Sequence, residues 1–243
     1  MSSVAGRTNR VEEAGMRILV HYSVLNRGGA EKSILRLLAA LADRGCEVHL
    51  VVTSAGGALE PEVDSRVKLH HLRTIRTWMP VSTIPVLGRL VTSLKWLAAR
   101  SQEAWRRRRF RGARFDAALC GSAGLSPAFI CNVVQASKRF VFVRNDPCLV
   151  SDGRWARNID KFHRSIDAYL CVSNYVRRSM QKRYPQVSGK CVTAYNMLNA
   201  EAMRASAHGY PNPFGADVGC PTVLSVCRLQ EVSKGLLRMV DVH

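Results

Sequence analysis

Acids are scarce in this chain: 18 aspartates and glutamates stand against 36 lysines and arginines over 243 residues, a formal charge of +18. Such a surface attracts phosphates, anionic lipid or nucleic acid and repels basic partners. No CxxC pair occurs among the eight cysteines, and Cys120, Cys171 and Cys191 sit inside apolar runs. That pattern argues against a disulfide framework and against a zinc site, and for buried reduced thiols of a cytosolic protein with no catalytic role. An uninterrupted membrane-spanning run is missing too, because Arg89 and Lys95 break the longest apolar candidate. Residues 1–15 lack the apolar segment of a signal peptide and read as a loose tail, with Met16 an alternative start.

What is present is most sharply punctuated over residues 16–53. Ile18, Leu19 and Val20 form a short apolar run between polar flanks, which reads as a buried parallel strand. Gly28 and Gly29 follow in a loop, and Ile34, Leu37, Leu38 and Leu41 then recur at helical spacing. Gly45 ends that helix, and Val48, Leu50, Val51 and Val52 make a second strand. A βαβ unit of this size puts a helix N-terminus beside the carboxyl end of a strand, where free amides and the helix dipole favour an anion. The glycine pair reads either as a tight turn or as a contact to phosphate or sugar. A dinucleotide is disfavoured, since the spacing is not GxGxxG and the second strand ends without the acid a ribose would want.

Further strands are expected at residues 67–71, 116–120, 139–143, 168–172 and 190–195, with helices at 126–136, 154–164 and from Ser173, a good N-cap, to about Tyr184. Arg144, Asn145 and Asp146 follow one strand at its carboxyl end, where open α/β sheets place their ligands, although Asp146 before a proline also fits a plain turn. Asn196 lies just past another.

Residues 71–115 differ in texture, with eleven basic residues, interleaved Trp78, Trp96 and Trp105, several leucines, and Glu103 as the single acid. One reading is a basic amphipathic element at an anionic membrane surface, each basic residue contributing roughly 1 kcal/mol there. Another is a core helix packed through Leu87, Leu90, Leu94 and Leu97 with a basic solvated face. Nucleic acid is not expected, because no DNA or RNA motif accompanies the arginines.

Two separated signatures, GGAE at residues 28–31 and SVCRLQEVSKGLLRMV at 225–240, together resemble glycosyltransferase family 4, the retaining nucleotide-sugar enzymes of GT-B fold. CVSNYVRRSM at 171–180 and YNML around Asn196 also resemble the family at those places. The resemblance implies two Rossmann-like domains with the donor sugar between them and the acceptor chosen by the first. It also implies that Gly28 and Gly29 approach donor and acceptor while Arg228 and Lys234 hold the donor diphosphate. Where many members carry a histidine after a strand, this chain has Arg144.

The expected fold is therefore α/β, a Rossmann-like parallel sheet flanked by helices over residues 16–200. A linker at 201–221 and the first strand and helix of a truncated donor-binding domain at 222–243 would follow. The expected activity is transfer of a hexose from a UDP- or GDP-linked donor to a glycan or lipid-linked acceptor in cell-surface polysaccharide or glycolipid synthesis. No cofactor or metal is expected, and little or no transfer by the 243-residue chain alone. The competing class is a non-catalytic basic module that binds anionic membrane lipid. Candidate catalytic residues are Arg144, Asn145 and Asp146, and candidate substrate-binding residues are Gly28, Gly29, Asn196, Arg228 and Lys234.

Overall fold

The structure is a computed structural model that describes residues 15–75, 85–122, 124–149, 153–209 and 237, with the side chains of 85–90, 202 and 208 left aside. Seven strands, all parallel, form one sheet in the order β3-β2-β1-β4-β5-β6-β7. They are β1 (Arg17–Tyr22), β2 (Glu47–Ser54), β3 (Lys68–Arg73), β4 (Arg114–Cys120), β5 (Gln135–Val143), β6 (Ala168–Cys171) and β7 (Cys191–Thr193). The helices are α1 (Gly29–Asp43), α2 (Pro85–Arg107), α3 (Ala128–Asn132), α4 (Arg154–Phe162), α5 (Asn174–Arg183) and α6 (Ala200–His208). This is the Rossmann-like α/β arrangement expected from the residues.

The apolar run of β1 follows from its central place. Leu19 joins Val51, Ala118 and Val141 in one core, and Val20 joins Leu50, Leu119 and Phe142 in the other. Alternate side chains thus enter opposite cores, and a strand covered on both faces needs no polar position. Ile34, Leu35 and Leu38 of α1 fill one core, while residues of α3, α4 and α5, among them Phe129, Trp155, Ile159 and Met180, fill the other.

Several elements differ from the sequence reading. The helix expected over 126–136 is only Ala128–Asn132, because the chain already pairs with β4 from Gln135 onward. Residues 200–208, read as linker, form α6. Their composition, AEAMRASAH, is rich in helix formers, and the glycines and prolines that suggested a linker begin only at Gly209. Residues 199–243 form a second compact unit, of which α6 is the described helix. Leu94 and Leu97 of α2 are 58% and 59% exposed, which corrects the core-helix reading for these two. The inward face of α2 buries Ala99 and, beside it, charge. Glu103 is buried and bridges Arg73, at the end of β3, to Arg107, and the Arg106 guanidinium donates to the His71 carbonyl at 2.9 Å.

Candidate active site at the carboxyl edge of the sheet

The chain runs from β1 outward to β2 and β3, then returns to place β4 on the other side of β1. Between β1 and β4 the winding reverses, and the crevice at their carboxyl ends is where open α/β sheets take ligands. Tyr22 closes β1 and Gly121 follows β4, its amide donating to the His21 carbonyl at 2.9 Å. A Cβ on Gly121 would come 2.4 Å from Tyr22 Cδ2, so the approach of these two segments requires glycine. The Tyr22 phenol is pushed up to about 12, first by burial and then by the charge of the nearby Glu31, so it stays neutral.

The loop after β1 delivers α1 to the same crevice. It is braced from below by Gly57, where an added Cβ would lie 2.5 Å from the Leu25 carbonyl oxygen. Gly28 is the N-cap of α1, extended at φ −170° and ψ 160°, and no side chain caps the helix. The first-turn amides thus receive no cap from Gly28, and the Glu31 carboxylate of the same turn lies against that residue. A Cβ on Gly28 would meet only the movable end of Glu31, and one on Gly29 would meet nothing within 4 Å. Gly29 thus borders open space, and the protein's own packing does not demand its lack of a side chain.

Arg144, one residue past β5, reaches across this edge. Its Nε donates to the Gly121 carbonyl at 3.1 Å and its Nη1 to Asn196 Oδ1 at 2.8 Å, while its Cζ stacks 4.4 Å from the Phe142 ring centroid. Asn196 Oδ1 also accepts from the buried Ser33 hydroxyl of α1 at 2.9 Å. The remaining nitrogen, Nη2, is buried and has no hydrogen-bond partner among the described residues. Desolvation pulls the Arg144 pKa down, opposed by Tyr22 and Glu31, yet a guanidinium keeps its charge at any working pH. An unpaired buried donor costs about 1 to 3 kcal/mol, more when charged, so this nitrogen favours an incoming anion.

Asp146 is turned to a different task. Its Oδ1 accepts from the Ser179 hydroxyl and from the Cys148 amide at 2.9 Å, and its Oδ2 from the Tyr175 hydroxyl at 3.0 Å. Desolvation raises its pKa, but those hydrogen bonds outweigh it and the net shift is downward. The carboxylate ties the loop after β5 to α5, which keeps Arg144 at the edge. Asn145, between them, is exposed. Arg228 and Lys234 lie outside the described residues.

The profile of Glycosyltransferase Family 4 matches residues 27–202, most of the chain. The chain belongs to glycosyltransferase family 4. No curated protein matches it. Among solved structures, Phytolacca americana UGT2 complexed with UDP-2-fluoro-glucose and pterostilbene is similar at 10% identity and a TM-score of 0.45, over 78% of this chain and 56% of that one. The E. coli heptosyltransferase WaaC with ADP is similar at 12% identity and a TM-score of 0.27, over 79% of this chain and 78% of that one. The chain thus spans little more than half the length of the plant protein.

The family 4 match opens at the glycine loop and includes Ser33, Gly121, Arg144 and Asn196. The structure brings Gly28, Gly29, Arg144 and Asn196 to one edge, as their positions beyond strand ends implied. Ser33, Tyr22 and Gly121 were not anticipated. Ser33 had a signal, since it sits four residues before Leu37 on the apolar stripe of α1, where a hydroxyl needs a partner. Gly121 had none. Among the described residues no group of three or more His, Cys, Asp or Glu is placed to hold a metal ion. Burial pushes the Cys120 and Cys131 thiols up to about 12 and about 11, which keeps them protonated and unreactive.

Proposed function

We propose that the protein transfers a hexose from a UDP- or GDP-linked sugar to a glycan or lipid-linked acceptor in cell-surface polysaccharide or glycolipid synthesis. It works peripherally at the cytoplasmic face of the membrane. The observation that carries this reading is Arg144, whose buried and unpartnered Nη2 stands with the uncapped start of α1 at the switch point of a family 4 domain.

Glycosyl transfer from a nucleotide sugar breaks a bond to phosphate and leaves negative charge on the diphosphate. Fixed positive groups lower the barrier where that charge develops. A unit charge about 4 Å away contributes on the order of 4 kcal/mol gross at an effective dielectric near 20, against roughly 0.3 to 1 kcal/mol for a helix terminus. Of these two contributions Arg144 is therefore the larger, with the α1 amides aligning the anionic group. Its role is substrate contact, and Asn196 and Ser33 position it. The family resemblance implies that Arg228 and Lys234 hold the donor diphosphate.

The test is a panel of UDP- and GDP-linked hexoses offered to the full-length gene product with glycan and lipid-linked acceptors, reading nucleotide release and glycosylated product. Arg144→Met should lower kcat/KM by about 10- to 100-fold, the loss of one charge-assisted hydrogen bond. Failure of every donor, or an Arg144→Met enzyme as active as the native one, removes the reading.

A further inference from the structure

The outward face of α2 is the feature this site does not use. Leu94, Leu97, Ala98, Ser101, Ala104 and Trp105 recur at three and four residues and are all exposed, while the opposite face is held to β3 by Glu103 and its arginines. The helix is amphipathic with its apolar stripe turned to solvent. Large exposed apolar faces on a folded domain mark a contact surface.

The charges around the stripe say what kind of surface it meets. Arg100, Arg108, Arg109 and Arg111 are exposed beside it, and over residues 91–111 Glu103 is the single acid, already consumed by Arg73 and Arg107. Arg100 stacks on Trp96 at 4.8 Å and Arg109 on Trp105 at 5.0 Å, so each of these exposed tryptophans carries a cation over its ring face. A recess lined by Arg73, Arg100, Glu103, Ala104 and Arg107, about 220 Å³ in volume, lies where α2 meets the end of β3. A second copy of the chain is a poor occupant, because matching two such faces would set arginine against arginine. No described helix is long and apolar enough to cross a membrane.

We propose that the outward face of α2 docks on an anionic lipid bilayer, with Leu94, Leu97 and Trp105 entering the interface and the flanking arginines meeting lipid phosphates. Interfacial helices have this combination of an aliphatic and aromatic stripe with a basic margin. The inference rests on the peripheral placement proposed above and assigns the surface responsible for it. Through Glu103 and β3 the helix is fixed to the sheet, so docking orients the carboxyl edge relative to the membrane.

The experiment is flotation of the full chain with vesicles of phosphatidylcholine alone or mixed with phosphatidylglycerol, at about 50 mM and about 500 mM salt. The native chain should float with the phosphatidylglycerol vesicles at low salt, and high salt should weaken the binding. Leu94→Ser with Leu97→Ser, both at exposed positions and checked for folding by circular dichroism, should lower partitioning about tenfold. Arg108→Glu with Arg109→Glu should lower it at least tenfold and remove the preference for anionic lipid. Equal binding to neutral vesicles, or a serine variant that floats like the native chain, overturns the proposal. So does a native dimer in light scattering that the serine variant dissolves, with no flotation. Transfer by the full-length gene product to a water-soluble acceptor, assayed without vesicles, should be the same with and without the serine substitutions. A native full-length protein that transfers sugar but does not float removes the docking surface alone, and one that floats without transferring sugar removes the transferase reading alone.

Discussion

The Ser33 hydroxyl donates to Asn196 Oδ1 at 2.9 Å across 163 positions of sequence, and the same oxygen accepts the Arg144 guanidinium at 2.8 Å. One amide oxygen thereby joins the first helix, the loop after β5 and the segment after β7.

Asn196→Ala should separate activity from stability. Asn196 is exposed, so water can replace part of what its oxygen accepted, and urea denaturation should show a loss of only about 1 kcal/mol. The guanidinium, no longer held, should cost about tenfold in kcat/KM by the orientation argument. Equal fractional losses in both measurements would mean that Asn196 does no more than hold the fold.

Gly121→Ala should destabilise by about 1 to 3 kcal/mol, because the new methyl would lie 2.4 Å from Tyr22 Cδ2 in a packed region. Combining it with Tyr22→Leu should recover part of that loss. Urea midpoints of the two variants check this, and an unchanged midpoint for Gly121→Ala would show that the segments are free to separate.

Acid stability should depend on His21. It is fully buried and its pKa is pushed down to about 3, first by burial and then by the charge of Arg107. The unfolded imidazole titrates near 6.5. Between those values the unfolded chain binds a proton that the folded one refuses. The contribution of His21 is therefore whole above pH 6.5 and falls by about 1.4 kcal/mol per pH unit as pH drops toward 3. In His21→Leu the fall between about pH 6 and pH 4 should flatten, as measured by urea denaturation across pH. A parallel curve would assign the acid sensitivity to other groups.

Glu103→Gln tests how α2 is attached. Breaking a fully buried ion pair costs about 3 to 5 kcal/mol, but Arg73 and Arg107 keep 29% and 33% of their side-chain exposure, so about 1 to 3 kcal/mol is expected here. Hydrogen exchange should show the amides of α2 opening before those of the sheet. Unaltered protection of α2 would mean that its apolar contacts suffice.

Much of this was readable in advance, for identifiable reasons. Central strands covered on both faces leave unbroken apolar runs such as Ile18 to Val20, and residues just past such runs, Gly28, Arg144 and Asn196, must fall at one edge of a parallel sheet. The first half of β5 was hidden because Gln135, Ser137 and Lys138 carry no apolar pattern, their side chains standing mostly in solvent. The leucines of α2 misled for the opposite reason. Their spacing reports a helix face without saying whether protein or something else will cover it. Ser33 and Gly121 depend on which strands become neighbours, and that is decided only when the sheet assembles.

The anchoring of Arg144 also has an order in time. Its carbonyl acceptor on Gly121 is already made when the arginine is synthesised, but Asn196 follows 52 residues later. A nascent chain halted between those points would hold the guanidinium by one tether and leave it free to swing. The last strand of the sheet therefore locks the cation in place as it joins, and no shorter product of translation should present the finished cradle.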